Sequence, residues 1–232
     1  MMFERSLPIF GEEGINRLKN SAVLVFGAGG VGCAVIEALC RAGVGHIAVC
    51  DGDVYSESNL NRQLYATHQT LCQSKARVAC ERIISIAPFI ETECFDFFYR
   101  GDDMERIDLS KYDYIADCID DVKAKCDLIE RSVGLGVPVI SCMGTGNKLD
   151  PFMFRIDDIK KTTVCPLAKA VRVELRKRGI VSGVNVLYSL ELPSVRRPVP
   201  SSVSFVPPVA GYMMASRIIK DIAFKQANDI QD

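Results

Sequence analysis

A continuous apolar run, Ala22-Val23-Leu24-Val25-Phe26, leads directly into Gly27-Ala28-Gly29-Gly30-Val31-Gly32, and helical periodicity follows from Gly30 to Ala42. A short apolar run without polar alternation predicts a strand buried on both faces. Glycines after it let the chain turn tightly and bring backbone N–H groups close to an anion. The helix that follows adds a partial positive charge at its N-terminus. Strand, glycine turn and helix in this order point to a parallel sheet with crossover helices, and to a phosphate-bearing ligand at the turn.

The rest of the chain agrees with that plan. Glu12 to Lys19 predicts a short amphipathic helix, and His46 to Cys50 a second strand ending at Asp51. Gln73 to Ala87 carries apolar residues at helical spacing and stops at Pro88. Thr92–Phe98, Tyr112–Cys118 and Val137–Cys142 predict three more strands, with a helix over Val122–Val133. After Met143 the pattern changes. Gly144-Thr145-Gly146-Asn147 is a turn-rich joint, and Pro151–Ile156 and Val184–Leu190 predict strands on either side of a helix over Pro166–Arg178. Pro193–Ser202 reads as an exposed loop, and Pro207–Phe224 as an amphipathic helix opened by prolines. The expected class is α/β: a doubly wound, mainly parallel Rossmann-like sheet with a mixed C-terminal extension. The 232 residues are expected to form one domain, with a nucleotide part over 1–143 and an extension over 144–232.

Composition narrows the class. The net charge of -1 argues against a nucleic-acid binder by bulk charge, though not against a local basic patch. No apolar run approaches the roughly 20 residues that span a bilayer, so no membrane association is expected. Met1 to Gly11 has no apolar signal-peptide centre, and the chain is expected in the cytoplasm. None of the ten cysteines is spaced C-x-x-C, so no structural zinc is expected. The expectation for nearly all of them is a small buried hydrophobe in a reducing compartment.

A glycine turn alone suggests a nicotinamide or flavin cofactor. The residues beyond Asp51 suit a triphosphate better. Asp51-Gly52-Asp53 leads into Ser58-Asn59-Leu60-Asn61-Arg62-Gln63, Lys75 heads a predicted helix, and Asp117-Cys118-Ile119-Asp120-Asp121 ends the fourth strand. In an open parallel sheet, ligands bind at the carboxyl ends of the strands. Asp51, Asp120 and the glycine loop are therefore expected in one crevice. Two cations, Arg62 and Lys75, with a carboxylate that can hold Mg²⁺, match a nucleoside triphosphate. Asp120 also precedes an apolar-periodic stretch, where it would cap the helix.

The set G-A-G-G-V-G, D-x-D, N-L-N-R-Q, a lysine at a helix start and D-C-I-D resembles the ubiquitin-activating-enzyme-like (ThiF/MoeB/HesA) superfamily over almost the whole chain. The resemblance implies an ATP-dependent adenylyltransferase. It implies ATP contacts at Gly27, Gly29, Gly30 and Gly32, ribose on Asp51 with Asp53 nearby, and phosphates positioned by Asn59, Arg62, Gln63 and Lys75. It also implies Mg²⁺ on Asp120 and a homodimer in which Arg5 serves the other subunit's active site. In the expected mechanism a substrate carboxylate attacks the α-phosphorus of ATP, and no side-chain nucleophile is needed.

Within that superfamily, Gly144 to Pro151, Lys160-Lys161-Thr162, Cys165-Pro166-Leu167-Ala168 and Ser204 to Gly211 resemble the tRNA threonylcarbamoyladenosine dehydratases. Their implied reaction is adenylation and cyclisation of the threonyl carboxylate on the modified adenosine beside the anticodon, with tRNA as partner. The alternative is activation of the C-terminal Gly-Gly of a small sulfur carrier, and a sulfur-transfer protein stays in view as a partner. A nicotinamide-dependent oxidoreductase or an inactive nucleotide-binding module is disfavoured by Arg62, Lys75 and Asp120. Eight basic residues lie between Arg155 and Arg178, with Lys169, Arg172 and Arg176 at one-face helical spacing. These three and Lys177 are the candidate tRNA contacts, and Lys148, Arg196 and Arg197 are expected to extend the patch. Cys142 and Cys165 lie near the presumed substrate side, but a catalytic thiol needs a lowered pKa. His46 and His68 have no companion at ligand spacing and are given no role.

Overall fold

The computed structural model describes residues 2–195 and 200–224. Its strands are β1 (Ala22–Phe26), β2 (His46–Cys50), β3 (Glu91–Phe95), β4 (Tyr114–Asp117), β5 (Val139–Cys142), β6 (Phe154–Asp158) and β7 (Asn185–Ser189). Its helices are α1 (Leu7–Lys19), α2 (Gly32–Ala42), α3 (Lys75–Ile86), α4 (Val122–Gly134), α5 (Pro166–Lys177) and α6 (Val206–Ala223).

The strands form one sheet in the order β3-β2-β1-β4-β5-β7-β6. All neighbours pair in parallel except β6 and β7, which are antiparallel. The mainly parallel sheet with a mixed C-terminal edge is thus the expected one. Strand alternation divides the core in two. Val23 and Val25 of β1 face a cluster with α2, α3 and α6, while Leu24 and Phe26 face a cluster with α4 and α5. Both faces of β1 are covered, which explains its unbroken apolar run. The chain leaves β1 for β2 on one side and reaches β4 on the other, so the order reverses at β1 and opens a crevice beyond its carboxyl end.

Several boundaries differ from the expected ones, each for a local reason. The first helix begins at Leu7, not Glu12, and is kinked at Gly11, whose φ is 69°. Ser74 accepts from the N–H of Arg77 and so starts α3 two residues later than expected. Pro151–Met153 is a 3-10 turn capped by Asp150, so β6 begins only at Phe154. In the expected loop 193–202, residues 196–199 lie outside the described residues.

Candidate nucleotide site

The site is built from strand ends brought level by parallel register. Phe26 pairs with Cys50 on one side and Asp117 on the other. The next residues are fastened across the same edge: Gly27 N–H donates to Cys50 O (2.8 Å) and Cys118 N–H to Phe26 O (2.8 Å). Gly27 has φ of 88°, and a Cβ there would lie 2.8 Å from Cys118 O. At Gly32 a Cβ would come within 1.7 Å of Gly27 O, so only glycine lets α2 start against its own loop. No acidic side chain occupies the first turn of α2, leaving its N-terminus open to an anion.

Asp51 follows β2 and turns back onto this loop. Its carboxylate accepts from Ala28 N–H (2.7 Å) and Asp53 N–H (2.8 Å). Burial pushes the Asp51 carboxyl above the usual carboxylate range, against the pull of those two donors. A carboxylate offers about four acceptor positions, so two donors leave room for ribose hydroxyls.

Lys75 is the first residue of α3 and is only 5% exposed. Its backbone N–H donates to Asp53 O, and its ammonium pairs closely with the Asp53 carboxylate. The bridge between Val54 and Ser74 folds the two segments together and so sets this pairing. Burial opposes the charge on Asp53, but Lys75 and the Val54 N–H outweigh it and hold the carboxyl below its usual range. The D-x-D signature thus has two roles: the first aspartate braces the glycine loop, and the second holds the buried lysine.

The Asn59–Gln63 stretch flanks the loop from the other side. Asn59 Oδ1 accepts from Ser56 N–H (3.1 Å), which commits its oxygen to the local turn. The Arg62 guanidinium donates to Ser58 O (2.7 Å) and Asn61 Oδ1 (2.8 Å). A Cβ at Gly30 would meet Pro207 at 3.0 Å and the Arg62 side chain at 3.6 Å, and one at Gly29 would face Gln63 Nε2 at 3.8 Å. A side chain at either glycine would fill the cradle. Gln63 Oε1 and Ser202 Oγ are buried without a hydrogen-bond partner among the described residues. Asn61 Nδ2 donates to Ser202 O (3.1 Å), which ties the Ser202 segment to this stretch. A buried polar atom without a protein partner is ordinarily met by water or a polar ligand, which Gln63 beside the glycine loop can accept.

Asp120 is exposed, two residues beyond Cys118, with no hydrogen bond or ion pair among the described residues. It is not the cap of α4. Asp121 takes that place, accepting from Ala124 N–H (2.8 Å), and leaves the Asp120 carboxylate free. No three His, Cys, Asp or Glu side chains are grouped for a metal ion among the described residues. Mg²⁺ at a nucleotide needs less, since phosphates and water supply most of its ligands.

The ThiF family model matches residues 3–231. The chain belongs to the ThiF family. It is 39% identical to the tRNA threonylcarbamoyladenosine dehydratase of Bacillus subtilis (strain 168), over 98% of each chain. It also matches the crystal structure of the E. coli tRNA N6-threonylcarbamoyladenosine dehydratase in complex with ATP, with a TM-score of 0.89 and 29% identity over 97% of this chain and 95% of that one. The adenylyltransferase and sulfurtransferase MOCS3 of Drosophila sechellia is 35% identical over 62% of this chain and 31% of its own. The likeness to the dehydratases therefore runs on through the C-terminal third.

That third holds the expected tRNA-contact residues of this ThiF-family chain. Lys169, Arg176 and Lys177 are exposed on α5, opposite its buried Ala168, Val171 and Leu175. Arg172 is half-buried, and its guanidinium is bonded to the backbone and hydroxyl oxygens of Thr162. Lys177 pairs with Glu174. Arg178 is held by Asp127, Glu130 and Glu174. The basic segment is thus partly neutralised from α4, which linear spacing did not reveal. Lys148 does not extend the patch: it is 4% exposed, and its ammonium donates to Glu191 O (2.6 Å). Arg196 and Arg197 lie outside the described residues.

Cys142 and Cys165 are buried, and burial pushes the Cys142 thiol up to about 12. Such a thiol is a poor nucleophile. Two cysteines depart from the buried expectation: Cys72 and Cys94 are exposed. Arg5 is exposed near the other edge of the sheet. Phe3, two residues earlier, packs edge-on against Phe89 (6.0 Å between centroids) and beneath Gly43, beside the amino ends of β2 and β3. A five-residue strand spans about 17 Å, more than one arginine side chain covers.

Proposed function

We propose that this protein is an ATP-dependent tRNA threonylcarbamoyladenosine dehydratase that adenylates the threonyl carboxylate of the modified adenosine next to the anticodon and then cyclises it. The observation that carries this reading is the junction of Gly27–Gly32, Asp51, the Lys75–Asp53 pair and Arg62 at one strand-end crevice. The end-to-end likeness to dehydratases supports the choice of substrate.

The chemistry follows from charge and alignment. The carboxylate attacks the α-phosphorus and pyrophosphate leaves, forming an acyl-adenylate. The neighbouring carbamoyl group then attacks the acyl carbon and AMP departs with one carboxylate oxygen, so the elements of water are lost overall. Asp51 takes the ribose hydroxyls, and the N–H groups at the head of α2 take phosphate oxygens. Arg62, Lys75 and the amide nitrogens of Asn59 and Gln63 offset charge growing on the leaving group. Asp120 would hold Mg²⁺, which would supply positive charge against that of the phosphates. Ring closure within one substrate needs no enzyme thiol, in keeping with the buried Cys142 and Cys165.

Residues 1–143 form the nucleotide part in this reading, and 144–232 the substrate-binding and dimer extension. The working unit is a homodimer in which Arg5 reaches the partner's phosphates, since its own segment is anchored near the amino ends of the strands. Lys169, Arg176 and Lys177 face the tRNA, while Arg172, held by Thr162, stands at the margin of that surface, and the enzyme works in the cytoplasm. Among the described residues no feature favours a sulfur-transfer partner. The test is ATP–pyrophosphate exchange with modified tRNA, unmodified tRNA and a Gly-Gly-tailed carrier in parallel. Exchange is expected only with the modified tRNA, and exchange with the carrier alone would overturn the assignment.

A further inference from the structure

Asp117, Lys125 and Ser141 are all 0% exposed and take no part in the chemistry above. Asp117 ends β4, and Ser141 lies directly opposite it on β5. Lys125 stands in the first turns of α4 on the same face of the sheet. Its ammonium donates to Asp117 Oδ2 (2.8 Å) and Ser141 Oγ (3.1 Å), and Ser141 Oγ donates to the same Oδ2 (2.6 Å). The other carboxylate oxygen accepts from Ile119 N–H (3.0 Å). Both oxygens of Asp117 are therefore used, and one shapes the turn that carries Asp120.

A fully buried ion pair is a poor way to gain stability, because desolvation offsets the attraction and apolar replacements often do as well. Its value lies in fixing geometry. This triad joins three elements at the carboxyl edge: the β4 turn leading to Asp120, the head of α4, and β5, which leads into Met143–Lys148 on the substrate side.

We infer that Asp117, Lys125 and Ser141 are positioning residues, which hold the Asp120 carboxylate where it meets the metal-bound phosphates and lock that turn to the loop after β5. The inference rests on the proposed role of Asp120. The triad does not touch the nucleotide. It acts through the Asp117–Ile119 bond and the placement of α4.

The test is the double variant Asp117→Asn/Lys125→Met, which removes both charges together and leaves neither alone in the core. Asparagine retains an acceptor for Ile119 N–H. Three readouts are taken: melting temperature, ATP affinity by calorimetry with and without Mg²⁺, and pyrophosphate exchange. The melting temperature is expected to stay level or rise, and ATP affinity without Mg²⁺ to stay unchanged. The gain in ATP affinity that Mg²⁺ brings to the wild type should fall about 10- to 100-fold, as for other partners of a metal-ligating side chain. Exchange should lose turnover more than KM for ATP. Ser141→Ala, which cuts only the link to β5, should give a smaller loss of the same kind. A wild-type Mg²⁺ gain in the double variant would overturn the inference, as would losses that merely follow its unfolded fraction. If wild type itself exchanges no pyrophosphate with any tRNA, the proposed function fails, while the calorimetric comparison still decides the role of the triad.

Discussion

Polar groups at the ends of β1, β2 and β4 are mostly held by other parts of the protein, whereas Lys169 and Arg176 on the outer face of α5 stand alone. Asp51 is braced by two backbone N–H groups, Lys75 by Asp53, and Asp117 by three donors. Lys169 and Arg176 have no ion-pair partner among the described residues, and Lys177 has only its helix neighbour Glu174. Chemistry that depends on charge developing at one phosphorus atom needs groups preset in place. Attraction to a polyanion needs only net charge at the surface, and long exposed side chains serve. The two regions thus fit two demands, and substitutions in them should fail in different ways.

The largest effect is expected at Lys75. Lys75→Ala removes a preset charge from the proposed phosphate site and leaves Asp53 without its partner. Adenylation should fall roughly 10²- to 10³-fold, as when one preorganised donor is deleted from a charge-stabilising site. Single-turnover pyrophosphate release would measure it, with tRNA binding as the control expected to stay level. A loss under tenfold would mean that the buried pair is a feature of the fold and not of the reaction.

Much of this nucleotide region was legible in the sequence because its residues act close to where they stand in the chain. A strand, a glycine turn and a helix define their own geometry, and Asp51 and Lys75 sit at element ends that periodicity locates. Pairings across the chain were not legible. Asp53 with Lys75 depends on a ribbon between 53–55 and 72–75, and Asp117 with Lys125 and Ser141 depends on β4 and β5 being neighbours. For the same reason the basic segment looked more positive than it is. Its opposing charges on Asp127 and Glu130 come from α4, and Lys148 turned inward to Glu191. The N-cap at Asp121 in place of Asp120 was a one-residue ambiguity between adjacent aspartates. Only the hydrogen bond to Ala124 resolves it.

A middle-sized effect is expected on α5. Lys169→Glu/Arg176→Glu reverses two exposed, unpaired cations without disturbing the buried face of the helix. tRNA affinity should fall and its salt dependence flatten by about two in the log–log slope, one for each lost phosphate contact. ATP affinity should not change. Binding measured at several salt concentrations checks this, and an unaltered slope would move the tRNA surface away from this helix.

The smallest effect is expected at Lys177, and it sharpens the comparison most. Lys177 shares the exposure of Lys169 but is paired with Glu174 one helical turn away (3.0 Å). An exposed i,i+3 pair adds little to a helix, so Lys177→Ala should barely move the melting temperature. Its pairing also lowers the charge it offers a phosphate, because Glu174 remains within reach of the same ammonium. Lys177→Ala should therefore weaken tRNA binding by no more than about twofold. Lys169→Ala should weaken it more, despite an identical side chain on the same helix. Equal losses would show that ion pairing within α5 does not govern the surface, and that distance to the RNA alone ranks these cations. A larger loss at Lys177 would place the RNA over the C-terminal end of α5, beside the Arg178 cluster.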